Sequence, residues 1–352
     1  MSQIRYRHFK NTDILGLVDV WNRSEQPRDV SQMHSAGLSQ PIDTLLFDTV
    51  VVSSQFFRPE FLLVAVEVPD DGAPSDGLHD GRVVGFIHGG DVPKKDFSGI
   101  DPQTKTIAML LVEEREDQLQ IAAELLHRLE AIFQQDGARE ILAGAAYPNA
   151  PFYMGLLASG GICGFLEGDA LTSFVLQSNG YLPMTRYHLF RIPLRNYRAP
   201  VNRDTIRMRR RFYIDETRKE NSPPQNLWEA IAMCNFDWRR FGLIDRTVPV
   251  PEGEKPKPCA TVVTHRLEGA SDYDVWGARW GLHNLQVEPD YQHQGHGRFL
   301  VSSVLQILAS RGYGSAELQI SAENVRATRS FEMLNFERFA TGVVYHRMLP
   351  EL

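Results

Sequence analysis

The chain has 352 residues, 43% of them hydrophobic and 23% charged, with a formal net charge of −7. Such a composition builds a globular protein long enough for two domains, and its acidic balance argues against a protein that coats nucleic acid or a membrane surface. Three cysteines, Cys163, Cys234 and Cys259, are odd in number and far apart, so they read as small buried apolar residues rather than a disulfide framework or a zinc site.

From Met1 to Arg7 the chain lacks an apolar signal core, and no apolar run reaches transmembrane length; a soluble cytoplasmic protein is the default expectation. Residues 69–81, rich in Gly, Asp and Pro, read as a hairpin excursion without chemistry. Ile107 to Val112 read as an apolar strand, Glu116 to Gln135 as an amphipathic helix ending at Gly137, and Ile141 to Ala146 as another strand. Asp169 to Ser178 follows as a helix that stops at Asn179-Gly180-Tyr181. Arg195 to Arg203, with Asn196, Pro200 and Asn202, is the candidate linker.

Beyond the linker the same order returns. Leu285-Gln286-Val287 ends an apolar strand and leads through Gln292-His293-Gln294-Gly295-His296-Gly297-Arg298 into a helix near Gly297, on which Phe299, Leu300, Val304, Leu305 and Leu308 recur at helical spacing up to Gly312. Ala316, Leu318 and Ile320 then alternate with Glu317 and Gln319, as in a strand with one buried face. Ser321 is placed to cap a second helix in which Ala327, Phe331 and Leu334 share a face.

The Gly-x-Gly turn carries the chemistry. Its glycines let the backbone approach a ligand, and the first-turn N–H groups of the following helix have no intrahelical acceptors, so an anion can take them. A dinucleotide site would want a third glycine and an acid about twenty residues on, and a P-loop would want Gly-Lys-Ser/Thr; neither is in place.

Read as Gln-x-x-Gly-x-Gly, residues 292–297 resemble the pyrophosphate loop of the GNAT family, the Gcn5-related N-acetyltransferases that use acetyl-CoA. Asn324-x-x-Ala327-x-x-x-Phe331-x-x-Leu334-Asn335-Phe336 resembles the family's second cofactor motif, with Phe331 where tyrosine is common and Asn335 where glycine is usual. The second departure is mild, because asparagine tolerates the left-handed conformation of a helix exit. The resemblance implies an α/β (α+β) fold of two tandem GNAT-like domains, each a mixed, mostly antiparallel twisted sheet flanked by helices. Residues 1–195 would be a degenerate GNAT-like domain, 196–203 a linker and 204–352 the acetyl-CoA-binding domain. It further implies acetyl-CoA as co-substrate, no metal, and cofactor contacts from Leu285, Gln286, Val287, Gln292, His293, Gln294, Gly295, His296, Gly297, Arg298, Asn324 and Phe331. His293 and His296 are expected on the solvent-facing side of that loop, within reach of a phosphate; neither has partners at metal-ligand spacing.

Aligned without gaps, Val112 with Val287, the first unit places Gln120 and Ala122 where Gly295 and Gly297 stand. Glu113, Glu114, Glu116 and Asp117 crowd the same helix start, where carboxylates would satisfy the N–H groups themselves and repel a pyrophosphate. This unit is expected to keep the fold and not the cofactor.

Trp280 and Leu282 are apolar at one parity and Leu285 and Val287 at the other, the mark of an inserted bulge residue. The family splays its fourth strand at such a bulge, and the resemblance assigns the pantetheine contact to Leu285 and Val287. His283 stands where the arylalkylamine branch of the family has a histidine, and an imidazole suits removal of an amine proton near neutral pH; a histidine bonded for structural reasons is the alternative. The general acid is left unassigned. Phe331 has no hydroxyl, Tyr345 or Tyr291 substitutes only if the fold brings either close, and a thiolate with a pKa near ~8.5 can leave unprotonated.

Residues 24–57 and 221–241, the second holding Trp228, Phe236, Trp238 and Phe241, occupy the part of each unit that in this family covers the acceptor. Two function classes remain open. One is an N-acetyltransferase acting on a primary amine of a small-molecule or peptide acceptor by direct attack in a ternary complex. The other is a non-catalytic acyl-CoA-binding or ligand-sensing protein on the same fold. Neither calls for nucleic acid or membrane as a partner.

Overall fold

The computed structural model describes residues 3–24, 42–68, 81–144, 149, 152–153, 163–218, 224, 226–232, 237–267 and 278–350. The hairpin expected at 69–81, apart from Gly81, and parts of the segments 24–57 and 221–241, Cys234 and Phe236 among them, lie outside the described residues.

The first unit runs β1 (Gln3–His8), α1 (Ile14–Ser24), α2 (Thr44–Phe47), β2 (Leu62–Val68), β3 (Arg82–Pro93), β4 (Ile100–Val112), α3 (Gln118–Gln135), β5 (Glu140–Ala143), β6 (Phe165–Leu166), α4 (Ala170–Ser178) and β7 (Leu182–Pro193). The second runs α5 (Arg203–Arg211), β8 (Phe212–Arg218), α6 (Leu227–Ala232), β9 (Trp238–Asp245), β10 (Ala260–Arg266), β11 (Arg279–Val287), α7 (His296–Ser310), β12 (Ser315–Ser321), α8 (Val325–Glu332) and β13 (Glu337–Met348).

Local chemistry explains the helices. In α3 the residues Ile121, Ala122, Leu125, Leu126, Leu129 and Phe133 share one buried face, and Gly137 at φ 90° ends the turn beyond it. Asp169 caps α4 by accepting from the Thr172 amide at 2.9 Å. Gly180 and Asn335, at φ 82° and 66°, follow α4 and α8 as left-handed exits, so asparagine does fill the glycine role at the second site. The cap of α8 differs from expectation: Asn324, not Ser321, accepts from the Ala327 amide at 3.0 Å, and the helix begins at Val325.

The strands form a single sheet in the order β1-β2-β3-β4-β5-β13-β7-β12-β11-β10-β9-β8, with β6 beside β13. The order is symmetric about its centre. In each half four antiparallel strands lead to one parallel pair, β4–β5 or β11–β12, and the parallel pair is bridged by a helix, α3 or α7. The sixth place in each half is exchanged: β13 lies on β5 of the first unit, β7 lies on β12 of the second, and the two pair with each other at the seam. Packing follows the exchange. Val343 and Tyr345 of β13 are buried in the core under α3, while Phe190 and Ile192 of β7 are buried in the core under α7. Each such aliphatic or phenyl side chain contributes about 1.5–3 kcal/mol by leaving water, so each unit's core is completed by a strand from the other.

Candidate active site

The site lies where β11 leaves its parallel neighbour. β12 pairs with β11 only from Arg279 to Gly281, and β11 then continues to Val287 alongside β10 alone, so the pair opens into a V. Between Thr261 and Val263 the partner on β11 steps from Gln286 to His283, one residue more than the β10 step. Asn284 sits in this bulge at φ 52°, a conformation asparagine adopts at lower cost than most side chains. The bulge reverses the parity: Trp280 and Leu282 are buried in the core, whereas Leu285 is 36% exposed.

Eight residues, 288–295, link β11 to α7. Gln292 Nε2 donates to the Val287 carbonyl at 2.9 Å and Gln294 Nε2 to the Asp290 carbonyl at 2.8 Å, so both glutamines brace the loop. Gln286 Nε2 in turn donates to Asn284 Oδ1 at 2.8 Å, across the bulge. His293 and Gly295 take positive φ, 62° and 84°. Gly295 is the N-cap of α7 and supplies no side-chain acceptor, which leaves the first-turn N–H groups for another partner. A Cβ at Gly297 would meet Val287 Cγ2 at 3.1 Å, so the helix approaches the strand as closely as glycine permits. Arg298 Nη2 reaches within 3.8 Å of where a Cβ on Gly295 would stand, and Arg326 Nη1 lies 3.3 Å from the His293 ring nitrogens. Unshared N–H groups, a helix dipole and two guanidinium groups at one turn fit the phosphates of a CoA thioester.

Two histidines of the loop divide. His293 is exposed, as expected, but His296 is buried. At the first position of α7 its ring turns back under the loop, packs edge-on to Phe212 and Tyr291, and donates from Nδ1 to the Tyr291 carbonyl at 2.8 Å. Its proton is thereby held by the loop it closes. Asn324 spends its side-chain oxygen on the α8 cap, and Phe331 is buried edge-on to Phe336; the Arg326–His293 contact brings this helix start to the loop.

His283 is half-buried on the sheet face opposite α7, the face shared with Arg279 and Gly281. Its Nδ1 lies 3.1 Å from Nδ1 of His265 on β10. Burial, then the neighbouring His265 and Arg240, hold its pKa well below the ordinary imidazole value of 6.5, so the ring is neutral at neutral pH. Arg240 of β9 stands 3.6 Å from Glu229 of α6, and the Trp228 ring of α6 lies 4.0 Å from Phe56 of the first unit. His265 was not singled out from the sequence. It lies eighteen positions before His283, and only antiparallel pairing of β10 with β11 brings the rings together.

Neither candidate tyrosine is placed as an acid. Tyr345 lies in the core of the first unit, its hydroxyl donating to Ser173 Oγ at 3.2 Å. Tyr291 donates to Asp245 Oδ2 at 3.2 Å.

The first unit repeats the V. β4 carries a bulge between Ile107 and Met109, and β5 stays beside it only from Thr104 to Ile107. Five residues, 113–117, reach α3, none at positive φ. The capping expected of Asp117 does not form: it makes no side-chain cap bond and pairs with Arg115, while Glu113 pairs with Arg82 at 2.5 Å. Flanking arginines take the charges of Glu113 and Asp117. On the face matching that of His283, Phe152 and Tyr153 are fully buried, Trp21 stacks on Tyr153 at 5.5 Å, and the Tyr153 hydroxyl lies 2.9 Å from His88 Nδ1. A Cβ on Gly90 would meet Phe152 at 2.3 Å.

Comparison with known proteins gives the same picture. A sequence model described as the acetyltransferase (GNAT) family matches residues 209–336. The mycothiol acetyltransferase of Rhodococcus opacus (strain B4) is 39% identical over 63 residues, 18% of this chain and 21% of that protein. The ribosomal protein bS18-alanine N-acetyltransferase of Escherichia coli (strain K12) is 40% identical over 55 residues, 16% of this chain and 37% of that one. The chain therefore spans well under half the length of either relative. Among solved structures, a tandem GNAT protein from the clavulanic acid biosynthesis pathway superposes with a TM-score of 0.61 at 11% identity, covering 98% of both chains. A GCN5-related glucosamine N-acetyltransferase region of a fungal multi-domain β-N-acetylglucosaminidase gives 0.67 at 12% identity, covering 99% of this chain and 38% of that one. At such identities the likeness is one of fold: two GNAT units in tandem.

Proposed function

We propose that this protein, whose residues 209–336 form an acetyltransferase domain of the GNAT family, moves an acetyl group from acetyl-CoA to a primary amine through its second unit. The observation that carries the reading is the open V between β11 and β12, with the uncapped start of α7 at Gly295 beside it. In this reading the diphosphate takes the N–H groups of that first turn with Arg298 and Arg326 alongside, and the pantetheine arm runs along the backbone of Leu285 and Val287.

The amine nitrogen attacks the thioester carbonyl; the N–C bond forms, the C–S bond breaks, and CoA leaves as a thiolate. The amine proton passes to His283, directly or through one water. Burial keeps His283 in the neutral form that can accept it. Direct attack in a ternary complex is favoured over an acylated cysteine, because burial pushes the described thiols up, Cys163 to about 12 and Cys259 to about 11, away from the thiolate a nucleophile requires. The acceptor is a small-molecule or peptide amine; one relative is named for mycothiol and the other for an alanine of a ribosomal protein. The shortened loop of the first unit, which lacks the positive-φ turn of Gly295, supports one acetyl-CoA per chain.

Incubation with acetyl-CoA and pooled primary amines, read as free thiol, tests the activity. Amine-dependent thiol release is expected. Tight acetyl-CoA binding without any release would instead favour the non-catalytic acyl-CoA-binding protein.

A further inference from the structure

We propose that Arg203 and Arg207 of α5 form a seat for the 3′-phosphate of CoA, so that the second unit selects the 3′-phosphorylated cofactor over dephospho-CoA. The inference rests on the acetyl-CoA reading of the Gly295 turn and deepens it, by giving protein partners to the part of the cofactor that lies beyond the diphosphate.

The linker runs into α5, and the position of that helix is fixed from both ends. Before it, the Tyr197 hydroxyl donates to Ser302 Oγ at 3.3 Å and the Ala199 amide to Gln306 Oε1 at 3.0 Å, both on α7. Asn202 caps it by accepting from the Thr205 amide at 2.9 Å. In its last turn Arg211 pairs with Asp245 at 2.6 Å, and the same carboxylate oxygen accepts from the hydroxyl of Tyr291, in the loop before α7, at 3.2 Å. Between these anchors Met208 packs on the core under α7, its Cε 4.0 Å from where a Cβ on Gly295 would stand. α5 therefore lies beside the turn at which the diphosphate is proposed to sit.

The charge of α5 runs against that of the chain. Five of its nine residues are arginine and Asp204 is its only acid, in a protein of net charge −7. Arg209, Arg210 and Arg211 stand in the last turn, where the negative end of the helix dipole favours them. That account does not extend to Arg203 and Arg207. Arg203 opens the helix, at the positive end of the dipole, and Arg203, Arg207 and Arg211 follow one another at four-residue spacing along one side, where like charges repel. Arg211 is engaged by Asp245, whereas the exposed Arg203 and Arg207 side chains make no ion pair or hydrogen bond among the described residues. A phosphate dianion relieves that repulsion, and the guanidinium fork matches its oxygens. In CoA the 3′-phosphate hangs from the ribose whose O5′ carries the diphosphate. A cofactor with its diphosphate at Gly295 thus holds its 3′-phosphate within a side chain's reach of that turn, and Arg207, next to Met208, stands beside it. Arg298 and Arg326 remain for the diphosphate.

Calorimetric titration of the full chain with CoA and with dephospho-CoA tests the seat without an acceptor. Wild-type protein should bind CoA about 10–100-fold more tightly, the range of one or two charge-assisted contacts, and the difference should shrink as salt rises. The double variant Arg203→Gln/Arg207→Gln, at exposed positions where glutamine keeps the helix propensity, should lose that preference while its affinity for dephospho-CoA and its urea midpoint stay at wild type. Arg209→Gln, on the other side of Met208, should keep the preference in full; a loss equal to that of the double variant would mean diffuse charge rather than a seat and overturns the proposal. Equal binding of the two forms by wild-type protein overturns it as well, and leaves the acetyl-CoA reading standing. A double variant that keeps the preference also overturns it, and a raised KM for the acceptor amine in that variant would turn the arginines towards an acidic acceptor. Binding of neither form would remove the cofactor reading of Gly295 and this seat together.

Discussion

Arg191 of β7 and Glu317 of β12 meet across the seam where the two units exchange strands. Arg191 Nε donates to Glu317 Oε1 at 2.8 Å, and the same oxygen accepts from Arg279 Nη1 of β11 at 3.1 Å, with Glu317 fully buried. Glu317 pairs in register with Gly281, so this ion cluster holds the point from which the V opens. Removing one partner of such a buried cluster costs about 3–5 kcal/mol, because the remaining charges lose their compensation. Glu317→Ala is expected to lower the urea midpoint accordingly and to weaken acetyl-CoA binding in the same protein. A midpoint within error of wild type would show that Arg191 and Arg279 find other partners.

Substitution at Gly295 should abolish cofactor binding while leaving the fold. The residue takes φ 84° at the start of α7, where a side chain is strained, and Gly295→Glu adds a negative charge where the phosphates are proposed to sit. Calorimetric titration should give one acetyl-CoA site per wild-type chain and none in the variant. Two sites of similar affinity in wild type would contradict the reading of the first unit.

The acid limb of kcat/KM should lie below pH 6.5, since burial and the neighbouring His265 and Arg240 depress the pKa of His283. In His283→Ala turnover should fall about 10²–10⁴-fold and that limb should disappear, while acetyl-CoA affinity stays close to wild type. An unchanged profile would take His283 out of the mechanism.

His88 should make the first unit acid-sensitive. Complete burial lowers its pKa to about 3, whereas in the unfolded chain it titrates near 6.5. Between those values the unfolded state binds the extra proton, so the stability is fully present above pH 6.5 and is lost progressively as pH falls towards 3. At pH 5 this amounts to about 2 kcal/mol. Urea midpoints at pH 8 and pH 5 should differ less in His88→Gln, which still offers Tyr153 a partner, than in wild type; equal differences would mean His88 is not the group responsible.

Separated units should not fold. A fragment ending at residue 199 lacks β13 and so leaves β5 as an open edge, with the core under α3 missing Val343 and Tyr345; its complement leaves β12 without Phe190 and Ile192. Each fragment alone is expected to give a poorly dispersed NMR spectrum, and mixing or co-expression should restore the native one. A well-dispersed spectrum from either fragment would show that its own last strand can take the exchanged place.

Periodicity and turn chemistry are local properties, and they were readable in the chain. The buried face of α3, the exits at Gly180 and Asn335, the bulge signalled by the parity change between Leu282 and Leu285, and the Gly295–Gly297 turn all depend on residues within one or two turns of each other. The repeat of one element order in both halves was visible for the same reason. What depends on residues far apart was not. β13 and β7 carry nothing in their alternation that says which unit's strand each will pair with, because β pairing is set by packing against distant cores. His296 reads as a loop residue until Phe212, eighty-four positions earlier, supplies the surface it packs on. Glu113 and Asp117 read as helix caps until Arg82 and Arg115 claim them, and His265 has no distinguishing pattern until β10 lies against β11. Tertiary structure decided these because ion pairs, ring contacts and strand exchange are fixed by proximity in space, which local sequence does not record.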